Sequence, residues 1–115
     1  MKIAVATDDR INISHHFWSA FGFEIFEIID NEIVSQEYRE NIGKNTGECG
    51  SCNHNIMIEN IKDCRVIISF DMGKRIYHDL IRNNIQAVVT DEVTIKNAID
   101  RYIKNELKNR LEKLH

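Results

Sequence analysis

The chain has 115 residues, 43% hydrophobic and 29% charged, with a formal net charge of −3 and no proline. That length and balance describe one soluble globular domain, residues 1–115, with a real core. The negative charge removes the electrostatic case for nucleic-acid binding, and no apolar run reaches the roughly 20 residues of a membrane span.

The opening Met1-Lys2-Ile3-Ala4-Val5-Ala6-Thr7-Asp8 lacks a signal-peptide layout, because its apolar run is short and acids follow at once. A cytoplasmic protein is expected, with its three cysteines reduced. Residues 2–7 read as a buried strand ending at Asp8-Asp9, and 10–20 as a polar and aromatic loop containing His15, His16, Phe17 and Trp18. Phe21, Phe23, Ile25, Phe26 and Ile28 give a second strand. Asp30-Asn31 signals a turn, and Ile33 to Tyr38 form a third, antiparallel strand.

Gly43, Asn45, Gly47 and Gly50 mark a loop over 41–51. From Asn53 the period becomes helical. Ile56, Met57 and Ile61 share one face, with Ser51 or Asn53 as N-cap. Val66-Ile67-Ile68 reads as a strand buried on both faces. Asp71 is placed to cap a second helix with the apolar face Ile76, Tyr77, Leu80 and Ile81. Ala87-Val88-Val89 is another buried strand. Asp91 is placed to cap a last helix, whose stripe Ile95, Ala98, Ile99, Ile103, Leu107, Leu111 and Leu114 keeps helical spacing. That helix is expected to extend beyond the compact fold, its stripe packing on the domain, with dimerisation the lesser option.

The order βββ-α-β-α-β-α implies parallel crossovers and a mixed sheet with helices on both faces. Ligands in such folds sit beyond the carboxyl ends of the parallel strands. The loops 8–20 and 69–74 and the turn at Thr90-Asp91 should meet there. The loop 41–53 should cross nearby as a lid.

The chemistry concentrates in Cys49-Gly-Ser-Cys52-Asn-His54. Two thiols two residues apart can share one ion or cluster, or pair with each other, and an imidazole two positions on can reach the same point. His15 and His16 form a second donor pair. Met72-Gly73 opens a helix whose free N–H groups can hold an anion. Cys64 begins a buried strand and reads as a small core hydrophobe. Asp8, Asp9 and Asp71 would be needed for magnesium-dependent nuclease chemistry, but strand-end and helix-cap roles explain them as well.

The stretch Met1 to Asp9, the loop Ile13-Ser14-His15-His16-Phe17, the run Asp63-Cys64-Arg65-Val66-Ile67-Ile68 followed by Met72-Gly73, and Asn84-Ile85-Gln86-Ala87 together resemble the dinitrogenase iron–molybdenum cofactor biosynthesis family, the NifX/NifY-like domains. The Cys49/Cys52/His54 group and Leu114-His115 resemble a subset of stand-alone members in anaerobes. The resemblance implies a ribonuclease H-like three-layer α/β/α fold with a mixed five-stranded sheet. It also implies binding or carriage of an iron–sulfur or iron–molybdenum–sulfur cluster, as in nitrogen fixation, and no enzymatic turnover. His16 falls on the family histidine, and His15, Asp71, Met72 and Gly73 line the matching cofactor segments. His15 replaces the family's loop proline, and Ser69-Phe70-Asp71-Met72 replaces its glycine-rich turn.

Cys49, Cys52, His54 and His16 are the expected metal ligands. The implied partners are metallocluster donor and acceptor proteins, and the chain is expected to be a monomer or weak homodimer. Two other functions compete. One is a structural zinc site built from Cys49, Cys52, His54 and one of His15 or His16. The other is a thiol-disulfide oxidoreductase, opposed by the absence of the cis-proline that the thioredoxin fold sets beside its cysteines.

Overall fold

The computed structural model describes residues 1–17, 19–41 and 56–115. Five strands form one mixed sheet: β1 (Lys2–Thr7), β2 (Gly22–Ile29), β3 (Glu32–Glu40), β4 (Val66–Ser69) and β5 (Gln86–Val89), in the spatial order β3-β2-β1-β4-β5. Strand β1 is the pivot. It runs antiparallel to β2, with Ala4 opposite Ile25, and parallel to β4, with Ala4 beside Ile67. The central strands are apolar on both faces because both faces are covered.

Helical residues 56–60 (α1) and Lys74–Arg82 (α2) cover one face, where Met57, Ile58, Ile76 and Leu80 pack with Phe23, Ile25 and Ile67. Ile95–Ile103 (α3) covers the other, where Ile95, Ala98 and Ile99 meet Ile3, Val5, Ile68 and Val88. This is the expected α/β class, mixed sheet and element order. In the β2–β3 hairpin Asp30 and Asn31 both hold positive φ, 53° and 64°, as a tight turn matching the strand twist requires.

Four sequence expectations are corrected. Asp71 does not cap α2, whose N-cap is Gly73 with no side-chain hydrogen bond. Asp91 does not cap α3, because the Thr94 hydroxyl accepts from the Asn97 amide. The third concerns the last helix, which does not run to Leu114. It ends at Ile103, where Asn105 takes φ 59° and the Asn105 and Glu106 amides donate to the Tyr102 and Arg101 carbonyls. Asn84, with φ 61°, ends α2 the same way. Asparagine tolerates the left-handed conformation that glycine usually supplies at such ends. On α2, Ile81 is 45% exposed and falls outside the expected face.

Beyond Asn105 the chain returns along β5. The Asn109 side chain bonds both ways with that strand, accepting from the Val89 amide at 3.0 Å and donating to the Ala87 carbonyl at 3.1 Å. The Arg110 amide donates to Val89 O at 2.7 Å. This segment covers the hydrogen-bonding edge that β5 would otherwise expose. A short 3-10 turn (Leu111–Lys113) then brings Leu114 beside Met72.

Candidate cofactor-binding site

The segments after β1, β4 and β5 converge as expected. The first is built by two carboxylates. Asp9 accepts from the Ile11 and Asn12 amides at 2.9 and 2.7 Å and from the Asn12 side chain at 2.9 Å, and the two backbone donors first of all hold its carboxyl below the usual range. Asp8 accepts from the Phe21 amide at 2.9 Å and the Ser14 hydroxyl at 3.0 Å. The His16 amide donates to Ser14 Oγ at 3.2 Å, and Phe17, 3% exposed, anchors the loop in the core. Asp8 and Asp9 therefore tie together a loop that has no proline.

The two histidines part company. His15 stacks on Phe70, ring centroids 4.5 Å apart, and the Lys113 ammonium lies 3.5 Å from the same ring. Lys113 also reaches the Thr90 carbonyl and Asp91, both at 3.2 Å, so all three segments meet around Phe70. His16 instead lines a cavity of about 190 Å³ with Phe17, Ser19, Asp71, Met72, Gly73, Ile76 and His115. The start of α2 opens beside it. That first turn carries Lys74 and Arg75, contains no acid and has no side-chain cap, which favours an anion, while its first amide, Lys74 N, is taken by His115 O at 2.9 Å. A larger cleft of about 490 Å³ lies between α3 and the β2–β3 face. Its Arg10 and Gln36 both bond to Glu24 Oε1, at 3.0 and 3.2 Å, so they do not converge on the cleft's interior.

His115, which the sequence marked only through the Leu114-His115 resemblance, was not expected beside the cavity, since a helix continued to Leu114 would have carried it away. Its amide donates to Met72 O at 3.2 Å, its carbonyl accepts from Lys74 N at 2.9 Å, and its Nε2 lies 2.9 Å from Asp71 Oδ1.

Cys49, Cys52 and His54 lie outside the described residues. Of their described flanks, Asn41 lies at the same end of the sheet as the carboxyl end of β1, and α1 lies on the face that carries the cavity. Asn41 donates through its amide to Phe21 O at 2.9 Å and through its side chain to Ala20 O at 3.0 Å, while Met57 and Ile58 pack in the cluster that holds Phe17, Met72 and Ile76. Cys64 is 2% exposed, and burial first, then the Asp63 charge, push its thiol up to about 12. It is a core residue. Among the described residues no group of three or more His, Cys, Asp or Glu side chains is placed to hold a metal ion.

The fold is a small α/β domain with a cavity at the carboxyl ends of its parallel strands. The pattern described as "Dinitrogenase iron-molybdenum cofactor" matches residues 1–105, and the chain belongs to that family. Among solved structures it is similar to a candidate dinitrogenase from Methanocaldococcus jannaschii, at 25% identity and TM-score 0.71 over 94% of this chain and 92% of that one. The apo form of the orange protein from Desulfovibrio gigas shares the fold at 16% identity and TM-score 0.76, over 94% and 91%. So does a candidate NifB protein from Thermotoga, at 19% identity and TM-score 0.70, over 94% and 91%. No curated protein matches significantly.

Proposed function

We propose that this protein binds and carries a metal–sulfur cluster, of the iron–sulfur or iron–molybdenum–sulfur type, between donor and acceptor proteins, and that it is not an enzyme. One observation carries the reading. His16, the Met72-Gly73 turn and the start of α2, which has no side-chain cap, share a cavity at the strand ends; of the described flanks of the Cys49/Cys52/His54 segment, Met57 and Ile58 pack in the cluster beside that cavity and Asn41 follows β3 at the same end of the sheet. Metal–sulfide clusters are commonly anionic, so a basic helix start suits them, while thiolate and imidazole donors suit their metals. Cys49 and Cys52 would supply thiolates, and His16, with His54, imidazole. A cluster normally takes about four protein ligands. Two thiols with imidazole help form an incomplete shell, which favours release over storage. His15, stacked on Phe70, would act at the rim. The ribonuclease H-like description of the architecture is supported by the mixed five-stranded sheet with helices on both faces. No helix among the described residues is long and apolar enough to cross a membrane, which is compatible with a cytoplasmic carrier.

The test is anaerobic reconstitution with iron and sulfide, followed by absorption spectra and metal counting. Wild type should take up cluster, and Cys49→Ser/Cys52→Ser should not. If the double variant binds as well as wild type, the cysteine pair is not the site.

A further inference from the structure

We infer that His115 is a metal donor of this site and that Asp71 is its positioning residue. The inference rests on the cluster-carrier reading above and assigns one more residue to the cavity.

A side chain 68% exposed ordinarily samples many orientations, yet His115 is fixed at three points. Its backbone spans the turn before α2, donating to Met72 O and accepting from Lys74 N. Its neighbour Leu114 packs against the core cluster that contains Met72. The third point is the ring itself, with Nε2 2.9 Å from Asp71 Oδ1.

That last contact decides the chemistry. A carboxylate only accepts, so Nε2 must carry a proton. In the neutral ring Nδ1 then holds the lone pair and is the nitrogen able to bind a metal. A metal-binding histidine commonly donates its other N–H to a carboxylate, which fixes tautomer and ring orientation and raises ligand basicity. Asp71 stands to His115 in that relation. It faces the cavity's edge as an anion already engaged, which also lessens its repulsion of an anionic cluster. His16 and His115 line the same cavity from opposite parts of the chain, one after β1 and one after β5. The cavity can thus offer two imidazoles to the metals of a cluster, beside a basic first turn of α2 whose Lys74 amide is held by His115 O.

The experiment uses the full chain with ¹⁵N-labelled histidine, with iron(II) and sulfide as the anaerobic probe. In the metal-free protein the His115 ring should appear as the Nε2–H tautomer. Asp71→Ala should abolish that preference, and Asp71→Asn, which keeps an acceptor oxygen, should restore most of it. On reconstitution the His115 and His16 signals should broaden while those of His78, on the exposed side of α2, stay sharp. His115→Ala and His115→Gln, with circular dichroism confirming the fold, should each retain cluster about 10-fold less tightly, with a smaller loss in Asp71→Ala. If wild type loads but either His115 variant retains cluster equally or more tightly, the assignment is wrong and the carrier reading stands. If wild type takes up no cluster, both fall.

Discussion

Arg39 grips Asp63 with both ends of its guanidinium, Nη1 to Oδ1 at 2.6 Å and Nη2 to Oδ2 at 2.8 Å. The pair ties the outer strand β3 to the turn before β4, and Lys2 adds a contact to Asp63 Oδ2 at 3.1 Å. The Arg39 hydrogen bonds, more than any other influence, hold the Asp63 carboxyl well below its usual range. A depressed carboxyl contributes stability that is complete above its unfolded value of 3.8 and fades as pH falls through the lower folded value. Asp63 is 45% exposed, so screening limits the pair to about 1 kcal/mol. Asp63→Asn should cost about that at neutral pH, and less as the solution is acidified below pH 4, in urea titrations at several pH values. An equal loss at every pH would show that the pair is not electrostatic in origin.

Gly22 pairs with Glu40 across the β2–β3 ladder, and a Cβ there would run into the Tyr38 ring and the Arg39 carbonyl. The carbonyl belongs to a paired strand and cannot swing aside. Gly22→Ala should therefore destabilise the fold by roughly 2 kcal/mol, read as a lower urea midpoint with an unchanged slope. An unchanged midpoint would mean that β3 shifts freely at this edge.

The segment after Asn105 holds the edge of β5 and closes the cavity. Asn109→Ala removes two hydrogen bonds to β5 and should cost about 1–2 kcal/mol. Truncation after Asn105 also removes Leu114 from the core and should cost roughly 3 kcal/mol or more. Sedimentation alongside thermal melts checks this, since a bared β5 edge should also promote association. If neither measurement changes, the returning segment has no structural part.

Cys64 should resist alkylation in the native protein near pH 8. Its thiol is buried and raised to about 12, and only the thiolate reacts. Mass spectrometry after iodoacetamide treatment should find Cys64 modified only in denaturant. Rapid native labelling would show that the turn at residues 61–65 opens readily.

What the sequence made legible, and what it concealed, follows from the range of the interactions. The runs Ile3 to Ala6, Val66 to Ile68 and Ala87 to Val89 are continuous and apolar because those strands are covered on both faces. Asp30-Asn31 announced its hairpin because few residue pairs accept two positive φ values. The last helix was over-extended because Leu107, Leu111 and Leu114 happen to keep helical spacing. The stop at Asn105 depends on one left-handed residue with no glycine to mark it. Asp71 and Asp91 are residue types that cap helices, but their carboxylates meet His115, and Arg110 and Lys113, instead. Those contacts exist only once the chain has reversed. The place of His16 beside the cavity was legible because its loop follows directly on β1; that of His115 was not, because it depends on that reversal.

The central claim is that this chain holds a polynuclear metal–sulfur unit rather than a single ion. Native mass spectrometry of wild-type protein, reconstituted anaerobically with iron and sulfide and with zinc also present, tests it most directly. The account predicts a mass increment containing several irons together with inorganic sulfide, lost in Cys49→Ser/Cys52→Ser and reduced in His16→Ala. An increment of one zinc and no sulfide, or no increment at all, would contradict it.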